Sequence, residues 1–207
     1  MPDTSEMAPD FTLPRPGGDP VTLSALRPGA VVLFFYPRDD TSGCTKEAVA
    51  FSSLKDQFDA AGVTVLGISK DSLASHEKFQ SKHALTVPLL SDEHTQVCED
   101  YGVWKEKSMY GKKFFGIERS TFLIDGEGRI ARVWRKVKVP GHAEEVLDAV
   151  KTFLSYLPSH AGGALDPRWP RQDGPLARPC RDVVCRPRGG TRHSFGACPA
   201  APAPRPP

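Results

Sequence analysis

Two short segments of the chain are apolar at nearly every position. Residues 30–35 read AVVLFF and residues 63–69 read VTVLGIS. β-Branched and aromatic side chains without polar alternation are what a strand covered on both faces requires. Between the two, Ala48, Phe51, Leu54, Phe58 and Ala61 recur at three- and four-residue spacing, which lays one apolar stripe along a helix that Gly62 ends. The unit is β-α-β, and its strands are predicted parallel because a helix crosses between them.

The rest of the pattern extends this unit. FTL (11–13) and VTL (21–23), joined by PRPGGDP, predict an N-terminal hairpin outside the main sheet. A second helix is predicted over 72–84, after SKDS, with a connection through TVPLL to a short helical turn over HTQVCEDYG. RSTFLID (119–125), the turn DGEG and RIARVW (129–134) form a predicted antiparallel hairpin, and AEEVLDAVKTFLSYL (143–157) an amphipathic closing helix. The order β-α-β-α-β-β-α implies an α/β fold, a small mixed β-sheet with helices on both faces, and no internal repeat is visible. In such open sheets chemistry collects beyond the carboxyl ends of strands, where helix N-termini face the ligand.

Composition divides the chain in two. With 207 residues and 39% apolar content there is material for one good core. Residues 1–157 hold 19 basic and 22 acidic side chains and are read as a single domain; residues 158–207 hold eight basic and three acidic ones. All eight of those cations are Arg and 11 of the chain's 20 prolines lie there. With almost no apolar periodicity to offset the entropy of ordering, residues 158–207 are expected to form a disordered Arg/Pro-rich tail. Aromatics in it are confined to Trp169 and Phe195, so stacking on nucleic acid contributes little and nucleic acid is not an expected partner. The opening MPDTSEMAPDF lacks a basic start followed by an apolar stretch, and no apolar run approaches the roughly 20 residues of a membrane span. A soluble, cytoplasmic protein without a membrane partner is expected. Its five cysteines, odd in number and divided between body and tail, do not look like a secreted disulfide framework.

Cys44 stands where the first apolar strand has passed through YPRDDTSG into the first helix. Thr41-Ser42-Gly43 supplies turn and capping residues, which puts the sulfur in or beside the first helical turn. Unpaired N–H groups there favour an anion, and such a setting brings a thiol from about 8.5 towards neutrality, giving the thiolate that attacks electrophiles. The bland alternative is a small thiol filling space in the core. The polar neighbours DDTSG speak against apolar surroundings. A C-x-x-C oxidoreductase would need cysteines at 41 and 44, but residue 41 is Thr, which hydrogen-bonds and cannot form a disulfide. A hydroxyl three residues before the sulfur suits an oxygen substrate, and Pro37 fixes the chain's exit from the strand.

Pro37, Thr41 and Cys44, within YPRDDTSGCTKE, resemble the P-x-x-x-T-x-x-C signature of the peroxiredoxins. FTLP, GISKDS, LLSDEHTQVCEDYGVW and GIERSTFLIDGEGRI resemble the bacterioferritin comigratory protein, or peroxiredoxin Q, branch of that family, so the likeness covers residues 7–157. It implies a thioredoxin-like fold that reduces hydrogen peroxide and organic hydroperoxides without metal or organic cofactor. In it Cys44 would be the peroxidatic nucleophile, oxidised to a sulfenic acid. Thr41 would hydrogen-bond the peroxide and Pro37 would keep bulk water away. Arg119, opening RSTFLID, matches the family's arginine that stabilises the thiolate; taken alone, an arginine at a strand start is more often a solvated surface residue. Glu47 either orients Arg119, as the family glutamate in this segment does, or is a first-turn acid favoured by the helix dipole.

Many relatives carry a resolving cysteine five residues after the first, and here that position is Val49. Five residues advance about 500° around a helix, so even a cysteine there would need local unwinding to reach Cys44. The expectation is a one-cysteine mechanism with an external thiol, glutathione, glutaredoxin or thioredoxin, as reductant. Cys98 competes as the resolving residue, although Val97, Tyr101 and Val103 around it suit a packed structural thiol. Cys180, Cys185, His193 and Cys198 form C-x4-C-x7-H-x4-C, whose spacings exceed those of a compact zinc knuckle, and no metal site is assigned to them. The expected assembly is a monomer or weak homodimer. The competing functional class is a non-catalytic redox sensor or partner-binding module switched by oxidation of Cys44.

Overall fold

The computed structural model describes residues 2–109 and 112–156. An N-terminal hairpin of β1 (Thr12–Arg15) and β2 (Gly18–Thr22) is followed by a 3-10 turn over Leu23–Leu26. Then come β3 (Ala30–Phe35), α1 (Ser42–Ser53), α2 (Lys55–Ala60), β4 (Val63–Ser69), α3 (Leu73–His83), β5 (Leu89–Ser91) and the one-turn α4 (Val97–Asp100). A hairpin of β6 (Trp104–Met109) and β7 (Lys112–Ile117) precedes β8 (Ser120–Ile124), β9 (Ile130–Arg135) and α5 (His142–Tyr156). The segment read as the tail, 158–207, lies outside the described residues, with its candidate ligands Cys180, Cys185, His193 and Cys198.

Five strands make the main sheet in the order β5-β4-β3-β8-β9. β3 pairs parallel with β4 and antiparallel with β8, so the continuously apolar run 30–35 is the central strand and is buried throughout. Its side chains alternate between two cores. Val31, Leu33 and Phe35 join Leu66, Ile68, Leu90, Phe122 and Ile124 on one face, where the N-terminal hairpin (Phe11, Leu13) and α4 (Cys98, Tyr101) cover them. Phe34 and Tyr36 point the other way, to Phe51 of α1 at 4.7 Å between ring centroids and Phe79 of α3 at 6.4 Å. His142 at the start of α5 meets Phe51 edge-on on that same side. The mixed sheet with helices on both faces is as expected, with the three long helices together on one face.

Several details depart from the expectation. The helix predicted through residue 61 breaks at Leu54 into α1 and α2. Ser53 Oγ donates to the Ala50 carbonyl at 2.8 Å, the oxygen that also accepts the Leu54 N–H, and such competition bends helices. Gly62 ends α2 at φ 71°, a conformation that favours glycine. Within TVPLL the chain adds a third parallel strand, β5, to the sheet edge. The β6–β7 hairpin, a separate two-stranded sheet, has no counterpart in the predicted order.

Candidate active site

The register of β3 against β8 builds the site. Phe35, the last residue of β3, pairs with Ser120, so Arg119 stands at the carboxyl end of β3, where the chain turns into α1. Thr41 is the extended N-cap residue of α1, and the first intrahelical bond runs from the Thr45 N–H to the Thr41 carbonyl at 2.8 Å. The Thr41 hydroxyl does not cap the helix; it turns back to donate to the Arg38 carbonyl at 3.2 Å. Cys44 is the third residue of α1, inside the turn whose N–H groups have no intrahelical acceptor.

Arg119 crosses above Gly43, whose missing side chain makes room for it: a Cβ there would meet Arg119 Nη2 at 3.3 Å. Nη2 donates to Cys44 Sγ at 3.2 Å, and Nη1 donates to Glu47 Oε2 in an ion pair. The guanidinium fork thus bridges two groups one turn apart on α1. Cys44 is only 2% exposed and Glu47 1%. The polarity of DDTSG therefore says nothing about the sulfur's own exposure, because Arg119, distant in sequence, covers it. Burial pushes the Glu47 carboxyl up to about 7 against the downward pull of Arg119. For Arg119 itself, burial disfavours the charge, but Glu47 and Cys44 more than offset this and it holds its proton more tightly than usual. Pro37 and Thr41 are exposed on the segment before α1.

Two neighbours of this cluster escaped sequence reasoning. Lys107, half-buried on β6, donates from Nζ to the Ile117 carbonyl at 2.6 Å; burial lowers its pKa, opposed by the charge of Glu118 and reinforced by Arg119. No signal could reveal it while the β6–β7 hairpin was unread. His142 Nε2 lies 2.8 Å from Thr121 Oγ1, and burial pushes this imidazole down to about 4.

Cys98 is not brought to the site. It is buried under the opposite face of the sheet among Leu33, Phe35, Tyr101 and Val103. Asp92 accepts the Cys98 N–H at 2.9 Å, and burial together with that carboxylate pushes the thiol pKa up. Val49 is exposed on α1.

Residues 4–133 match the model of the AhpC/TSA family. The chain belongs to that family, as a peroxiredoxin of the bacterioferritin comigratory protein branch. A putative peroxiredoxin bcp of Coxiella burnetii is 52% identical over 145 residues, 70% of this chain and 96% of the relative. The solved structure of the Xanthomonas campestris bacterioferritin comigratory protein, reported for its alkyl peroxide reduction activity, superposes with a TM-score of 0.66 at 46% identity, over 69% of this chain and 91% of that one. Xylella fastidiosa PrxQ gives 0.71 at 42% identity, over 74% of this chain and 98% of that one. The sheet and helices of this peroxiredoxin are accordingly thioredoxin-like, and it is a thiol-dependent peroxidase, an oxidoreductase acting on a peroxide with a thiol as reductant. Among the described residues, no helix is long and apolar enough to cross a membrane.

Proposed function

We propose that this peroxiredoxin reduces hydrogen peroxide and organic hydroperoxides through a sulfenic acid at Cys44 that an external thiol resolves. The observation that carries the proposal is the 3.2 Å contact from Arg119 Nη2 to Cys44 Sγ at the start of α1. A fixed cation beside the sulfur stabilises the negative charge that moves along S–O–O during attack. In that step the sulfur's electron pair forms an S–O bond, the O–O bond breaks, and the departing oxygen takes a proton to leave as water or alcohol. Thr41, its own proton given to the Arg38 carbonyl, accepts the peroxide O–H on its hydroxyl oxygen, Pro37 limits water at the entrance, and Glu47 holds the second arm of the Arg119 fork. A first external thiol then displaces water from the sulfenic acid to form a mixed disulfide, and a second thiol releases Cys44. Supporting an external resolving thiol are the valine at 49 and the burial of Cys98 on the far face of the sheet. Thioredoxin, glutaredoxin and glutathione are the reductants to try, in a cytoplasmic setting where such thiols are kept reduced.

Steady-state peroxide consumption by the wild type and by Cys44→Ser, with each reductant supplied separately, tests this. Sustained turnover that vanishes in Cys44→Ser supports the enzyme. A single stoichiometric oxidation without turnover would instead favour a redox sensor.

A further inference from the structure

The segment from Tyr36 to Thr41 delivers α1 and carries both Pro37 and Thr41. Pro37, Arg38, Asp40 and Thr41 are exposed, and a solvated loop has little of its own to hold one conformation. Asp39 is the exception, 8% exposed and turned into the protein. Its carboxylate accepts from Tyr36 Oη at 2.8 Å on one oxygen, and from Ser75 Oγ and His76 Nδ1, each at 2.8 Å, on the other. A carboxylate only accepts, so the His76 proton on this side is on Nδ1. His76 is fully buried, and its Nε2 has no hydrogen-bond partner among the described residues. Such an atom costs stability, so the polar contribution of the ring comes from Nδ1, which meets Asp39 and, at 3.4 Å, Tyr36 Oη. Asp40, at φ 55°, meets Lys82 at 2.6 Å and His83 at 2.9 Å, but these are exposed contacts of small worth.

The backbone of the same residue is held as well. The Asp39 N–H donates to Asp71 Oδ2 at 2.8 Å, and Ser69 Oγ donates to that oxygen, also at 2.8 Å. The Asp39 N–H and the Arg38 carbonyl belong to one peptide plane, and planarity fixes one when the other is fixed. That Arg38 carbonyl is the acceptor of the Thr41 hydroxyl. Asp71 on one side of the plane and Thr41 on the other are therefore joined through a single rigid unit, with the Asp39 side chain locking the unit to α3.

We propose that Asp39, His76 and Asp71 are positioning residues of the peroxidase: by clamping the Arg38–Asp39 peptide they aim the Thr41 hydroxyl at the peroxide and set the entry of α1. The inference rests on the peroxidatic role of Cys44 and assigns the orientation of the substrate turn to side chains that never touch substrate. A misaimed hydroxyl oxygen loses rate without changing the sulfur's own chemistry.

The test measures two rate constants on the full chain: oxidation of Cys44 by hydrogen peroxide and alkylation of Cys44 by iodoacetamide, which needs the sulfur but not the Thr41 turn. Asp71→Ala and Asp39→Ala are expected to slow oxidation about tenfold to a hundredfold and to leave alkylation within about threefold. Asp71→Asn, whose amide oxygen can still accept the Asp39 N–H, is expected to recover most of the oxidation rate. In a Thr41→Val background the Asp71→Ala loss should shrink to less than about threefold, because the hydroxyl it aims is gone. If Asp39→Ala fails to fold, Asp71→Ala and Ser75→Ala carry the same comparison. Equal losses in both backgrounds, parallel losses of oxidation and alkylation, or oxidation within about twofold of wild type would each overturn the clamp. A wild type that is not oxidised at Cys44 overturns the peroxidase mechanism and the clamp together; a reactive wild type matched by its variants overturns the clamp alone.

Discussion

Replacing Arg119 by Met removes the cation from the sulfur while keeping a long unbranched side chain over Gly43. The lost interaction is one hydrogen bond from a charged guanidinium, Nη2 to Sγ at 3.2 Å, and such charge-assisted bonds contribute about 1.5–3 kcal/mol. If that energy is available in the transition state of peroxide attack, the second-order rate constant falls about 10- to 150-fold. The fold should survive. Glu47 loses its partner, but its carboxyl already titrates near 7, and without the guanidinium it takes up a proton at neutral pH instead of keeping a bare buried charge. Competition for hydrogen peroxide against a haem peroxidase of known rate measures the constant, and urea unfolding at the same pH checks that the variant is folded. Arg119→Lys should recover only part of the loss, since an ammonium cannot reproduce the planar fork that reaches both Sγ and Glu47. A folded Arg119→Met within about threefold of the wild type would refute the electrostatic role given to this residue.

Glu47 and His142 tilt stability with pH in opposite directions. Burial raises the Glu47 carboxyl from 4.5 to about 7, so its contribution is full below 4.5 and is lost as pH rises towards 7, by up to about 3 kcal/mol. Burial lowers the His142 imidazole from 6.5 to about 4, so its contribution is full above 6.5 and is lost as pH falls towards 4, by a similar amount. Urea midpoints across this range should therefore vary little in the wild type. Glu47→Gln should gain on it as pH rises and His142→Gln as pH falls, and differences that do not change with pH would contradict both assignments. Gly67→Ala should destabilise by about 1–3 kcal/mol, because the new Cβ would lie 2.6 Å from Phe34 Cζ and 2.8 Å from Leu89 Cδ2; an unchanged urea midpoint would count against the packing described. Cys98→Ala should leave turnover with an external thiol unchanged, and peptide mapping of the peroxide-treated wild type should yield no Cys44–Cys98 disulfide; finding that disulfide would overturn the one-cysteine mechanism.

What the sequence made legible follows from where each element is buried. β3 and β4 are covered on both faces, so they appear as mostly apolar runs without polar alternation, and α1 shows its stripe because Ala48 and Phe51 face the sheet. The β6–β7 hairpin could not be read this way. Its cross-strand neighbours include Lys105 opposite Gly116 and Glu106 opposite Phe115, and among the described residues the core holds the hairpin near its base, at Val103, Trp104 and Ile117. β5 is three residues long, too short for a period to establish itself. At the site, the local sequence gave the helix start and the sulfur, whereas the Arg119–Glu47 contact spans 72 residues and follows from strand register that no local pattern encodes. Asp39 was hidden for the opposite reason: a carboxylate in a polar turn resembles its exposed neighbours until the fold supplies Tyr36, Ser75 and His76 around it.

The most direct test of the account is to expose the full chain to one equivalent of hydrogen peroxide in the presence of a dimedone probe and map the adduct by mass spectrometry. A sulfenic acid adduct on Cys44 that disappears in Cys44→Ser is the expected result. An unmodified Cys44, or an adduct carried instead by another cysteine, would contradict it.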